Sequence, residues 1–214
     1  LELEVSNRPP VAPRAPEPGI PHGYDDFDAT VLAPLWMSVR RPAAAFASLE
    51  TRPGWLTLDG SATSLDSVEP ALIARRQQHL RCRARTIVHT GSDGEAGLAV
   101  LMDETSHYSV FVRGDRVTAR SRVGAFVITV GDAVRPDGDV VLRIETAAHE
   151  RGPDTVRLGF ETAADEFEVL AEIDGRYLST EVTGGFLGRT IGPFASRCVA
   201  AFDWFDYEPI TEQT

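Results

Sequence analysis

The stretch "ALIARRQQHLRCRARTIVH", residues 71–89, decides how the rest of the chain is read. From Leu72 to His89 it reads as strand, in which successive side chains point to opposite faces of a sheet. One face of its first half takes Leu72, Ala74, Arg76, Gln78 and Leu80; the other takes Ile73, Arg75, Gln77, His79 and Arg81. Neither face is apolar through its centre, because Arg75, Arg76, Gln77, Gln78 and His79 follow one another. A sheet protein that places five polar side chains in a row needs something for them to meet.

On either side the chain is strand after strand. "LWMSV" (35–39), "FASLE" (46–50) and "WLTLD" (55–59) precede it. "AGLAVLMD" (96–103), "HYSVFVR" (107–113), "RVTARSR" (116–122), "AFVITV" (125–130), "VVLRIET" (140–146), "TVRLGFE" (155–161), "FEVLAEI" (167–173) and "VAAFDWFDYE" (199–208) follow. Most alternate with period two and end at Gly, Asp, Asn or Pro. Tyr108, Val110 and Val112 share one face of their strand, while His107, Ser109, Phe111 and Arg113 share the other. Only "DATVLAPLW" (28–36) and "ADEFEVL" (164–170) have room for a helical turn. Closely spaced strands without intervening helices predict an all-β, two-sheet antiparallel β-sandwich with one face of each sheet in the core.

The chain has 214 residues, 43% of them apolar, a length and composition that suit one sizeable β-sandwich. Its formal net charge of −11 opposes binding to nucleic acid or an anionic membrane. No apolar run approaches the ~20 residues that cross a bilayer. "LELEVSNRPP" has neither the basic region nor the apolar run of a signal peptide, which points to the cytoplasm. Two cysteines, Cys82 and Cys198, make no disulfide framework and read as buried thiols. Residues 6–23 contain six prolines, the mark of an extended linker. The resulting division is the end of a preceding domain plus linker over 1–23, a sandwich over 24–209, and a tail over 210–214.

Catalytic patterns are absent. The histidines form no H-x-H or H-E-x-x-H pair. There is no G-x-S-x-G elbow, and no Walker or Rossmann glycine pattern. No pair of carboxylates can be assigned across a cleft. Three stretches stand out instead. One is "RRQQH" (75–79). A second is "TGGFLG" (183–188), where glycines permit sharp turns around Phe186. The third is "YDDFD" (24–28) with "FDWFDYE" (202–208): if first and last strands pair, Asp25, Asp26 and Asp203 approach one another and suit a hard cation. Trp36 and Trp204 lie in apolar strands and read as core rather than as a sugar platform.

The blocks "YDDFD…LAPLW", "RPGWLTLDGSATSLDSVEPALIARRQQH", "EAGLAVLMDETSHYSVFV", "YLSTEVTGGFLG" and "FDWFDYEP", in this order, resemble the C-terminal sandwich of glycoside hydrolase family 43 β-xylosidases over about residues 24–209. The resemblance implies a concanavalin A-like jelly roll. It implies a five-bladed catalytic propeller as partner, with acid and base residues that are not in this chain, so that the chain alone is inactive. It also implies that Phe186 reaches into a pocket for xylo-oligosaccharides or related glycosides, and that calcium is a structural cofactor near Asp26 and Asp203. Arg75, Arg76, Gln77 and His79 would then lie at or near the concave face toward the propeller, where Arg forks suit carboxylates and carbonyls. Two stretches depart from the family pattern: "FLGRTIGPFASRC" (186–198), with Arg189 and Pro193, and "TAAHERGPDTV" (146–156). A free-standing lectin-like carbohydrate-binding module is the alternative, and a structural domain serving homo-oligomerisation a third reading.

Overall fold

The computed structural model describes residues 23–91, 93–149, 152–162, 164, 166–184 and 187–210. Among them fourteen strands form two antiparallel sheets. In chain order they are β1 (Met37–Ser38), β2 (Ala47–Ser48), β3 (Leu56–Asp59), β4 (Ala71–Arg76), β5 (Cys82–Thr90), β6 (Glu95–Asp103) and β7 (Ser106–Arg113). Then come β8 (Arg116–Val123), β9 (Phe126–Val134), β10 (Val140–His149), β11 (Gly152–Glu161), β12 (Phe167–Asp174), β13 (Thr190–Ser196) and β14 (Val199–Pro209). The first sheet runs β1-β4-β13-β6-β7-β8-β9 and the second β12-β11-β10-β5-β14-β3-β2. The late strands β13 and β14 therefore lie inside the two sheets, between strands made much earlier.

Parity decides burial. Tyr108, Val110 and Val112 of β7 pack inward with Leu98 and Val100 of β6 against Ala84, Val88, Leu142, Ile144, Val156 and Leu158 of the other sheet. The two-residue hairpins after β7 and β8 are each opened by a glycine with positive φ, Gly114 at 57° and Gly124 at 61°, as such turns need. Leu72, Ala74, Leu101, Phe111 and Phe194 form a second apolar cluster with Leu65. β4 is thus buried on both faces. In β14, Phe202 and Phe205 are three apart yet both fully buried in the main core, because a bulge lies between them. The Thr86 hydroxyl donates to the Trp204 carbonyl inside that bulge at 2.5 Å. Pro193 sits in a central strand; the registered pairs between β13 and β4 skip Gly192 and Pro193, so its missing N–H costs no ladder bond on that side.

Several expectations change. Residues 72–89 are not one strand: β4 belongs to the first sheet and β5 to the second, and 77–81 is the corner between them. The polar run is where the chain leaves one sheet for the other. Residues 28–36 hold no helix, and "ADEFEVL" leads into β12. The short helical elements are 3-10 turns at Ala43–Ala45 and Gly175–Leu178, and α1 at Thr180–Thr183. Trp36 packs against the core, its ring edge-on to Phe205 with the centroids 5.0 Å apart. Trp204 does not; it is half-buried beneath Tyr24. Cys82 and Cys198 are buried free thiols. No helix of the described residues is long and apolar enough to cross a membrane.

The corner is tied down by Tyr207 of β14. Its hydroxyl accepts from the backbone N–H groups of Gln78 (2.9 Å) and His79 (3.2 Å), and lies 3.2 Å from His79 Nδ1. Burial pushes its pKa up to about 12, so it stays protonated. The Arg75 guanidinium lies over the same ring, 4.3 Å from its centroid, and donates to Gln78 Oε1 at 2.9 Å. Removing the hydroxyl leaves two backbone donors without their acceptor. Tyr207→Phe is expected to cost about 1–3 kcal/mol, read from the denaturant midpoint, with faster hydrogen exchange at Gln78 and His79. Unchanged exchange there would show that the hydroxyl does not hold the corner.

The outer face of the second sheet is an ion-pair lattice. Arg83 reaches Glu145 and Glu208, Arg85 reaches Glu161 and Asp206, and Arg143 reaches Glu145 and Glu161. Burial opposes ionisation of Glu145, but hydrogen bonds from Arg143 and Arg83 outweigh it and hold the carboxyl below its usual 4.5. A folded-state pKa that is depressed stabilises above the unfolded value and ceases to do so as pH falls through the folded one. The melting temperature is therefore expected to drop as pH falls below about 4.5, and Glu145→Gln should flatten part of that drop. A variant curve parallel to the wild type would remove Glu145 from the acid transition.

Candidate functional site

The corner and the glycine-flanked loop meet at one end of the sandwich. β4 ends in Arg75 and Arg76 and β13 starts at Thr190, which is paired with Arg76. Beyond that pair the chains stay in contact: Arg76 Nη1 donates to the Gly188 carbonyl at 2.6 Å, and the Gln77 N–H to the Arg189 carbonyl at 3.0 Å. Gln77 Nε2 closes its own turn on the His79 carbonyl at 2.9 Å. The four residues expected at or near a concave sheet face lie at this end of the sandwich: Arg75 buried, Gln77 half-buried, Arg76 and His79 exposed.

The loop between Gly184 and Arg189 is held at both ends. On its entry side, α1 stops at Gly184, whose φ of 72° suits glycine and whose N–H donates to the Thr180 carbonyl at 2.9 Å. On its exit side, Arg189 donates to the carbonyls of Leu178 (2.7 Å) and Gly175 (2.6 Å) and forks onto Asp154, with Nη2 at 3.0 Å and Nη1 closer still. Asp154 is only 2% exposed. A side chain at position 175 would stand 2.0 Å from the Asp154 carboxylate, so glycine is required there. Arg189 and Asp154 come from the two stretches 186–198 and 146–156, and the structure brings them together. Phe186 and Gly185 lie outside the described residues.

Two concavities flank this loop. One of about 280 Å³ is lined by Gln77, Gln78, His79, Leu80, Asp154 and Arg189. Another of about 270 Å³ includes Met37, Arg76, Leu101, Leu187 and Gly188. Each concavity also carries an exposed apolar side chain: Leu80, 73% exposed, in the first and Leu187, 50% exposed, in the second. Anchored polar donors surrounded by bare apolar side chains are what a surface built to meet another protein surface presents.

The acidic stretches pair as expected but divide their work. Asp25 bridges to Phe205 through both backbone bonds, and its carboxylate is spent on the Phe27 N–H (2.9 Å) and the Trp36 indole N–H (2.7 Å). Asp26 accepts from the Asp28 N–H at 3.2 Å. The Asp203 carboxyl is raised by burial against the opposing pull of Arg52. Calcium takes six to eight oxygens, and among the described residues no group of three or more acids, histidines or cysteines comes together to hold a metal. Asp26 and Asp203 alone do not make that coordination sphere. None of the three tryptophans forms an open platform either: each is half-buried, Trp55 under the Arg52 guanidinium at 3.4 Å.

Sequence reasoning passed over Tyr207 and Asp154. Tyr207 stood inside a quoted motif, and its odd–even step from Phe202 was the available clue to the bulge. Nothing local marks Asp154 as the partner of Arg189, which is 35 residues away.

Comparison with known proteins places these features. The family described as the beta xylosidase C-terminal concanavalin A-like domain matches residues 24–208. The non-reducing end alpha-L-arabinofuranosidase BoGH43B of Bacteroides ovatus is 33% identical over 201 residues. That match takes in 86% of this chain but only 36% of the relative, so the chain spans little more than a third of the curated relative's length. The solved Bacteroides ovatus xyloglucan PUL GH43B superposes with a TM-score of 0.77 at 31% identity, over 87% of this chain and 39% of that one. Xylan beta-1,4-xylosidase from Bacillus halodurans C-125 gives 0.77 at 28% identity, over 94% and 41%. The match over residues 24–208 shows that the chain belongs to the family of β-xylosidase C-terminal concanavalin A-like domains.

Proposed function

We propose that this sandwich is the accessory domain of a two-domain glycoside hydrolase acting on xylosides or arabinofuranosides, and that its loop end completes the substrate pocket of a catalytic propeller. The observation that carries this reading is the loop of residues 184–189, clamped by Gly184 and by the Arg189–Asp154 pair, with Leu80 and Leu187 exposed in the concavities that flank it. Arg189 fixes the start of β13 against the turn at Gly175–Leu178. Phe186 then packs on the sugar and excludes water, while Arg76, Gln77 and His79 meet the partner domain. The chain's short span of its relatives supports a larger whole. A free-standing sugar-binding module fits less well, since the tryptophans are covered.

The test is kinetic. The chain alone should not turn over aryl xylosides or aryl arabinofuranosides. In the protein joined to its catalytic domain, Phe186→Ala should lower kcat/KM by one to two orders of magnitude, about 1.4–2.7 kcal/mol. Its cost in stability should be much less than the ~3–5 kcal/mol of a buried Phe→Ala change. A large stability loss with intact kinetics would make Phe186 a core residue, and repurification-resistant turnover by the chain alone would contradict an accessory role.

Calcium at Asp26 and Asp203 has its own measurement. A metal present at ~100 times its dissociation constant adds about 2.7 kcal/mol, which is several degrees at this size. If Asp26 and Asp203 hold calcium, with Asp28 and Asp139 also acting on Asp203, a chelator is expected to lower the melting temperature by that amount, and an unchanged curve would rule the site out. A drop in chelator, with metal found by elemental analysis, would establish a site completed by backbone carbonyls and water.

A further inference from the structure

The connection from β3 to β4 crosses the outer face of the first sheet. Its Leu65 enters the second apolar cluster, and its Asp66 accepts from Arg122 Nη1 at 2.7 Å and lies 3.0 Å from His107 Nε2. Beside it runs a polar slot of about 180 Å³, whose walls include His107, Arg120, Glu95, Arg113, Ser196 and Arg197. Strand register gives its course. His107 lies opposite Leu101, which lies opposite Thr190, whereas Glu95 lies opposite Ser196. The slot therefore follows the strands, whose rise of about 3.3 Å per residue sets those two rows about 20 Å apart.

Its charges do not balance. Glu95 takes two bonds from Arg120, each 2.7 Å, and Asp66 is met by Arg122, so both acids are spent. Arg113, with its side chain 59% exposed, stands 3.7 Å from Glu95, beyond hydrogen-bond range. The Arg197 side chain has no partner among the described residues. Only β6 lies between the strands that carry these two arginines. Arg197 is also costly to place, since its φ of 59° is a conformation that glycine adopts most cheaply. Its N–H donates to the carbonyls of Gly60 (2.8 Å) and Thr63 (3.0 Å), which hold it there. At the other end His107 is 1% exposed, and its Nδ1 has no partner among the described residues. A buried ring nitrogen needs one whether or not it carries a proton, and a hydroxyl serves both cases because it donates and accepts.

We propose that this slot binds an acidic oligosaccharide, with a uronic acid carboxylate between Arg113 and Arg197 and sugar hydroxyls toward His107. Guanidinium forks suit a carboxylate, and the carboxylate is the anion those two arginines lack. In a chain of net charge −11, only such a local excess of arginine attracts an anion. The length of the slot selects an extended ligand over a free ion. Its polarity selects a sugar over a peptide: among the described residues Leu65 is the one apolar residue on its walls. A wider groove of about 560 Å³ shares Arg113 and Arg120 with the slot and adds the hydroxyls of Thr118 and Thr129, giving adjoining sugars a place. Arg197 is at the opposite end of β13 from the loop of residues 184–189, so this site is separate from the substrate pocket proposed above.

The test uses the protein with its catalytic domain attached. Backbone hydrogen exchange is followed with four probes: a xylo-oligosaccharide ended by glucuronic acid, the same chain ended by glucose, inorganic phosphate, and poly-glutamate. The two saccharides differ only in a carboxylate. The acidic one should slow exchange at residues 62–67 and 196–198, and the other three should not. Arg197→Gly relieves a positive φ and should leave the melting temperature undiminished. It should raise the concentration of acidic saccharide needed for half-protection at least about ten-fold, with kcat/KM on aryl xylosides unchanged. Arg113→Gln should weaken the same protection. No protection by the acidic saccharide overturns the proposal, as does equal protection by any of the other three probes or full affinity in Arg197→Gly. Should Arg197→Gly fail to fold, Arg113→Gln decides: unchanged affinity overturns the proposal.

Discussion

The Arg189–Asp154 ion pair is the constraint on which the functional end depends. Both charges are nearly out of water, and moving a charge there is costly unless its partner and further hydrogen bonds compensate. Here they do: the guanidinium also satisfies two backbone carbonyls at the 3-10 turn, and the carboxylate takes the fork. Three segments far apart in sequence, the start of β11, the turn at Gly175–Leu178 and the start of β13, are thereby fixed to one another. Such a pair contributes less to net stability than to uniqueness of geometry, because any rearrangement strands a charge.

The main core is ordinary by comparison. It is made of β-branched and aromatic residues interdigitating between two sheets, with the bulge in β14 bringing Phe202 and Phe205 to the same side. The polar lattice on the outer face of the second sheet adds charge-assisted bonds where no second layer covers it. The two faces of the molecule are thus stabilised by different means, apolar burial within and paired charges without.

The hairpins joining β7 to β8 and β8 to β9 could be read from the chain because Gly114 and Gly124 mark their turns. The corner at 77–81 could not. Inward residues are odd-numbered in β4 (Ala71, Ile73) and even-numbered in β5 (Cys82, Ala84, Val88), and that switch marks the break. It is masked because Leu72 and Ala74 are buried as well, in the second cluster. The candidate site was legible as two separate segments; that they touch depends on β13 inserting beside β4, a long-range pairing that no local pattern encodes.

The strand order has a consequence for how the molecule comes to exist. β13 lies between β4 and β6, and β14 between β5 and β3, so neither sheet can close until the final strands arrive. During synthesis, the early hairpins must wait with central positions vacant. Folding is therefore dominated by contacts distant in sequence, which makes it slow, and the waiting intermediate exposes unpaired edges on both sides of each gap. A chain stopped before Thr190 would not be a slightly frayed sandwich; it would be two split half-sheets, substrates for chaperones and proteases.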